Sequence, residues 1–182
     1  FLTGTLVIGN PMFVVGAVLL LVGFAFKVSV VPFHMWTPDA YEGAPTAVTA
    51  FMSAGAKAAG FAALLRVFTI AFPSISADLS PVLWIISAVT MFAGNIIAIA
   101  QTNIKRMLAY STISHMGFVL LGILSASDNG FSAAMFYILI YVLTTLVSFG
   151  MIMALSREGF ESENLDDFKG LNQRSRWYAF LM

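Results

Sequence analysis

Residues 45–72 read PTAVTAFMSAGAKAAGFAALLRVFTIAF, an apolar stretch interrupted near its middle by a single lysine, Lys57. It exceeds the roughly 20 helical residues that cross the hydrocarbon of a bilayer. A lysine at that depth costs about 2.5–3.5 kcal/mol on the insertion scale, where leucine would cost nothing. Four further stretches of similar character lie at 11–36, 81–102, 106–126 and 131–156, and another begins near Arg176. The expected fold is an all-α integral membrane protein, a polytopic helix bundle forming one transmembrane domain over 1–182.

Composition agrees with the spans. Apolar residues make up 59% of the chain and charged residues 10%, against roughly 45–50% and about 25% in a soluble domain. A soluble core of this size cannot hide that much apolar surface, so the bilayer is the solvent. The net charge is zero, which leaves no basic face for nucleic acid. With no cysteine there is no disulfide framework and no thiolate ligand for zinc or an iron–sulfur cluster. If the protein serves a redox enzyme, the electrons travel elsewhere. The chain opens at Phe1 and stops at Met182 inside an apolar run, and is expected to be an internal stretch of a longer polytopic protein.

The connections are short and polar, with turn chemistry at 37–39, 73–76, 103–105 and 127–130; only 157–175 is a real loop. Alternate loops share a side. The side with 37–44, 103–106 and 157–176 carries Lys105, Arg106, Arg157, Lys169, Arg174 and Arg176, and the opposite loops carry no cation. The positive-inside rule places the first group in the cytoplasm. Pro32, near the end of the first span, is a site for a kink or an unwound turn.

Lys27, in the first span, and Lys57 are the charges to explain. A structural lysine would pair with a buried acid, and no acid in the chain sits at matching depth. The functional alternative is a proton carrier: low dielectric disfavours an ammonium, so a buried lysine can release and regain its proton near neutral pH, as arginine cannot. Thr46, Thr49, Ser53 and Lys57 fall on one helical face, and Gly55, Ala56, Ala58, Ala59 and Gly60 permit close helix approach. Lys27 and His34 are seven apart and share a face with Gly16 and Gly23, in file toward the cytoplasm. His115 lies near the centre of the fourth span, at the depth of Lys57, with Ser111 one turn before it. Haem ligation by His34 and His115 is disfavoured because their depths differ. Tyr137, Tyr141, Thr144, Thr145 and Ser148 line one side of the fifth span, and Asn95 the third, either to hold water or to join helices. Arg66 snorkels, and Asp39 and Glu42 read as capping and turn residues.

Residues 26–46, FKVSVVPFHMWTPDAYEGAPT, resemble the signature of the antiporter-like membrane subunits of respiratory complex I. Residues 105–117, KRMLAYSTISHMG, and 167–171, DFKGL, resemble the same family in the same order. Thr37 within WTPDAYEG, and residues 53–60, SAGAKAAG, are most similar to the N-type branch. The resemblance implies an antiporter-like fold of inverted repeats, each with a broken helix. It makes Lys27 the broken-helix lysine, Lys57 the central lysine and His115 a link toward a second half-channel. A glutamate partner for Lys27 and a further basic residue would lie outside the chain.

The resemblance further implies a proton-translocating subunit of NADH:quinone oxidoreductase in a bacterial inner membrane, packed among other membrane subunits and lipid. NADH, FMN, iron–sulfur clusters and quinone would belong to partner subunits, with no cofactor or metal in this chain. The expected relay is Lys27, Lys57, His115 and His34: a charge change in a neighbouring subunit shifts the Lys27 ion pair, which alters the proton affinity of Lys57. Lys57 then passes its proton through water and His115 to the outside. The competing readings are a subunit of a multisubunit sodium/proton antiporter or membrane-bound hydrogenase, and a structural membrane spacer that conducts nothing.

Overall fold

The apolar stretches fold as helices because a helix satisfies its own backbone polar groups, a requirement that hydrocarbon enforces. The structure, a computed structural model, describes residues 11–67, 76–156 and 162–181. Helix α1 spans Pro11–Val28 and the short α2 spans Trp36–Gly43. A single rod follows, built from α3 (Thr46–Phe51), a π-helical turn (Met52–Ala56) and α4 (Lys57–Arg66). Then come α5 (Ser76–Ile99), α6 (Ile104–Leu124) and α7 (Asp128–Leu155). A 3-10 turn (Leu165–Phe168), α8 (Leu171–Arg174) and α9 (Arg176–Leu181) complete the described chain. No β-strand occurs among the described residues; Asn103 and Asn164 form an isolated antiparallel bridge.

Four helical stretches, Thr46–Arg66, Ser80–Ile99, Ile104–Leu124 and Asp128–Leu155, are long and apolar enough to cross a membrane. The first span differs from its expected extent. It was read as continuous to Trp36, with Pro32 as the kink, but the helix ends at Val28. Ser29 adopts a left-handed conformation, φ 66°. Its amide donates to the Phe26 carbonyl at 3.1 Å, and the Val30 amide to the Ala25 carbonyl at 3.0 Å. That pair of bonds is a Schellman end, which closes a helix by turning the next residue left-handed. The chain has already left the helix when it reaches Pro32.

Polar side chains seat the later helices. Asn103 caps α6 by accepting from the Arg106 amide at 3.0 Å, and Ser127 caps α7 by accepting from the Gly130 amide at 3.1 Å. Glycines let α5 and α6 approach closely: a Cβ on Gly94 would lie 2.7 Å from the Ser114 amide nitrogen, and one on Gly117 2.9 Å from the Ser87 carbonyl. The Ser87 hydroxyl ties the same crossing by donating to the Gly117 carbonyl at 2.7 Å.

The connections on one side meet. The Ile104 amide donates to the Glu163 carbonyl at 2.7 Å and the Leu165 amide to the Thr102 carbonyl at 2.9 Å. Lys105, almost wholly buried, pairs with Glu163 at 2.7 Å. Arg106 reaches both Asp39 and Glu42 at 2.7 Å. Asp39 and Glu42 are therefore more than turn formers: they are the acids that tie α2 to the start of α6. The separation along the chain, more than sixty residues, hid this from the sequence.

Large apolar side chains remain exposed on the outer faces, Met12, Phe51, Trp84, Phe92, Ile99 and Phe136 among them. Lipid tails or further helices match such a surface without the penalty that water would impose. The close α5–α6 crossing gives a direct test. Gly94→Ala is expected to lower the stability of the solubilised full-length subunit by about 1–3 kcal/mol, because the new methyl meets backbone. Gly16→Ala, where a Cβ meets nothing within 4 Å, should melt close to the native temperature in the same thermal unfolding experiment.

Candidate functional site

The end of α1 presents backbone carbonyls and amides that side chains from three other elements meet. The Trp36 indole on α2 donates to the Phe26 carbonyl at 2.9 Å. The Val31 amide is satisfied by the Thr90 hydroxyl of α5 at 3.0 Å. The Lys57 ammonium, from the start of α4, donates to the Lys27 carbonyl at 3.3 Å and to the Ser29 hydroxyl. It also lies 4.6 Å from the centre of the Trp36 ring, a cation–π distance. Lys57 is 1% exposed. The positive charge thus sits at the C-terminal end of α1, where the helix dipole is negative.

The partners of Lys57 are uncharged. Ser29 and Thr37, both fully buried, share a hydrogen bond of 2.5 Å between their hydroxyls. None of the ion pairs among the described residues includes Lys57. The face expected on the second span is buried over Thr46, Thr49, Ser53 and Lys57. Thr49 and Ser53 direct their hydroxyl protons to backbone, at the Tyr41 and Ala50 carbonyls, both 3.0 Å away.

Lys27 and His34 depart from the sequence reading. The file of Lys27 and His34 on one helical face does not form, because the left-handed turn at Ser29 ends the helix between them. His34 lies in the turn before α2, buried, with its Nδ1 unpartnered among the described residues. The Lys27 side chain is exposed in this chain. Its stem passes Gly60, where a Cβ would come within 3.3 Å of it.

His115 forms a second polar group, on α6. Its Nδ1 is 2.7 Å from the Tyr137 hydroxyl, and its ring centre is 5.4 Å from that of Tyr141. Tyr141 donates to the Thr112 hydroxyl at 2.9 Å. A cleft of about 170 Å³, lined in part by Ser111, Thr112, His115, Tyr141 and Thr144, runs along this face. Asn95, by contrast, is exposed on α5. The sequence reading missed Ser29, Thr37, Trp36, Tyr41 and Thr112. Ser29 carried a weak signal as a polar residue just before the proline-containing segment; the others looked like loop or packing residues.

Four helices long and apolar enough to cross a membrane, packed with an α1 that ends over a buried ammonium, define a polytopic membrane protein built around a buried charge. The NADH:quinone oxidoreductase/Mrp antiporter transmembrane family model matches residues 2–182. NADH-quinone oxidoreductase subunit N of Herminiimonas arsenicoxydans is 54% identical over 182 residues, covering 96% of this chain and 37% of that protein. Its counterpart in Thiobacillus denitrificans is 57% identical over 169 residues, covering 93% and 35%. A chain of respiratory complex I from Thermus thermophilus superposes with a TM-score of 0.76 at 37% identity, over 94% of this chain and 36% of that one. A chain of an archaeal membrane-bound sulfane sulfur reductase gives 0.82 at 28% identity, over 94% and 36%. The chain belongs to the NADH:quinone oxidoreductase/Mrp antiporter family of membrane subunits. It spans little more than a third of the length of these relatives.

The left-handed Ser29 allows a stability test apart from any activity. Ser29→Ala and Ser29→Gly both remove the hydroxyl, but only alanine retains the left-handed penalty, about 1–2 kcal/mol. The glycine variant is expected to melt above the alanine variant in scanning calorimetry of the solubilised subunit.

Proposed function

We propose that this chain is part of an N-type, proton-translocating membrane subunit of NADH:quinone oxidoreductase, in which Lys57 takes up and releases the pumped proton. The observation that carries the reading is the setting of Lys57: a buried ammonium held by a carbonyl, a hydroxyl and an indole face. A cation kept only for structure is best held by a carboxylate, which also makes losing its proton costly. Neutral partners suit both charge states, since a hydroxyl accepts from the ammonium and donates to the amine.

The names and identities of the relatives favour this subunit over a sodium/proton antiporter subunit. In this reading NADH, FMN, iron–sulfur clusters and quinone act in partner subunits. Lys27, exposed here, is paired by an acid beyond this chain, and a charge change there alters the proton affinity of Lys57. His115 receives the proton on its way out, and His34 stands at the cytoplasmic approach.

The proposed setting is a bacterial inner membrane with the Lys105, Arg106 and Lys169 side in the cytoplasm. Single cysteines at 129 and 172 test the orientation. A membrane-impermeant thiol reagent applied from outside should label position 129 and spare 172, and the reverse pattern would invert the topology.

Replacement of Lys57 tests the carrier. Lys57→Ala should allow the complex to assemble yet lower or abolish proton pumping in vesicles. Lys57→Arg should impair pumping as well, because arginine keeps its proton at working pH. A structural cation or an inert spacer predicts a well-assembled Lys57→Arg complex that pumps fully, and that result would end the carrier reading.

A further inference from the structure

Resting on the proposed role of Lys57, we infer that the hydroxyls of Ser29, Thr37 and Tyr41 form the proton route between Lys57 and the His115 cluster. The first two steps are hydrogen-bonded already. Lys57 donates to Ser29, and Ser29 meets Thr37 at 2.5 Å. An ammonium has no lone pair, so while Lys57 is charged Ser29 must turn its own proton toward Thr37.

The third residue follows from helix geometry. Thr37 and Tyr41 are four apart on α2, one turn along the same face. Tyr41 is fully buried, and its hydroxyl has no hydrogen-bond partner among the described residues. Its ring packs on Phe149, which lines the same cleft as Thr112, His115 and Tyr141. Burying a hydroxyl without a partner is unfavourable. Phenylalanine would fill the same space, against Phe149 at 6.3 Å between ring centres, without that cost. What the tyrosine adds is a polar atom aimed at the pair that leads to His115: Tyr141 bonds Thr112 at 2.9 Å, and its ring lies 5.4 Å from the imidazole. The adjoining cleft of about 170 Å³ has room for several waters at about 30 Å³ each.

The transfer conserves protons and moves no electrons. An N–H bond of Lys57 breaks as an O–H bond forms on Ser29, whose former proton passes to Thr37. One water spans the helical turn from Thr37 to Tyr41, and another joins Tyr41 to the Thr112–Tyr141 pair. The last proton forms an N–H bond on His115, and Lys57 is left as the neutral amine. The amine now accepts, so Ser29 and Thr37 can turn back and deliver a proton in the other sense.

The experiment uses the full-length subunit in the assembled complex, in membrane vesicles, with assembly followed on native gels beside proton pumping. Tyr41→Phe removes one oxygen. The route predicts normal assembly with pumping reduced toward the level of Lys57→Ala. A tyrosine kept for packing predicts equal or better assembly and full pumping, which would overturn the route. The second arm compares Thr37→Ser, which keeps a hydroxyl, with Thr37→Val, which removes it. The serine variant should pump faster; equal rates would overturn the route even if Tyr41→Phe failed to assemble. Lys57→Ala separates the two ideas. If it loses pumping while the hydroxyl variants keep it, the carrier stands and the route falls. Full pumping by Lys57→Ala removes the carrier and the route together.

Discussion

Backbone groups buried away from water need partners, and the end of α1 at Val28 finds them in its own closing turn and in side chains from other helices. Beside the bonds of the closing turn, donors come from other helices: Lys57 on α4 for the Lys27 carbonyl and Trp36 on α2 as a second donor to the Phe26 carbonyl. The dependence is mutual. The break needs a donor, and a desolvated ammonium needs the negative end of a helix and the oxygens around it. Neither is stable alone at that depth, so the two form one unit joining the first and second spans.

Local backbone choices bring that unit together. The rod carrying Lys57 widens into a π-helical turn over Met52–Ala56, immediately before the lysine. Such turns shift the facing of every later side chain relative to a regular helix. Gly60 then lets α4 lie against the stem of Lys27 and against Val28, each 3.3 Å from where its Cβ would stand. Ser29, left-handed, presents its hydroxyl to the ammonium and to Thr37 at once.

The short helix α2 connects this buried unit to the polar end of the bundle. Trp36 and Thr37 at its start face Lys57 and Ser29. Asp39 and Glu42 on its outer side hold Arg106, and Tyr41 on its inner side packs with Phe149 and Ile152. Thr49 donates to the Tyr41 carbonyl and fixes the turn that follows. The one short helix α2 thus contacts both the Arg106 guanidinium and the buried Lys57 ammonium. The Lys105–Glu163 pair lies at the same end of α6.

The class of fold was legible in composition and in the long apolar stretches, because 59% apolar residues with 10% charged, in runs of about 20, suit helices that satisfy their own backbone in lipid. It also singled out Lys57 and His115, since a titratable group placed mid-way along an apolar stretch is costly enough to call for a reason. The resemblance of residues 26–46 pointed to a family that the relatives at 54% and 57% identity share. Sequence could not place the break: Pro32 drew attention, but a left-handed serine three residues earlier ended the helix, and that conformation leaves no compositional mark. Nor could it find partners distant along the chain. Ser29 and Lys57 are 28 residues apart, and Asp39 and Arg106 are 67 apart. Periodicity assigns faces within one helix and is silent on which faces meet. Tertiary packing alone decided that Lys57 would find a carbonyl, a hydroxyl and an indole.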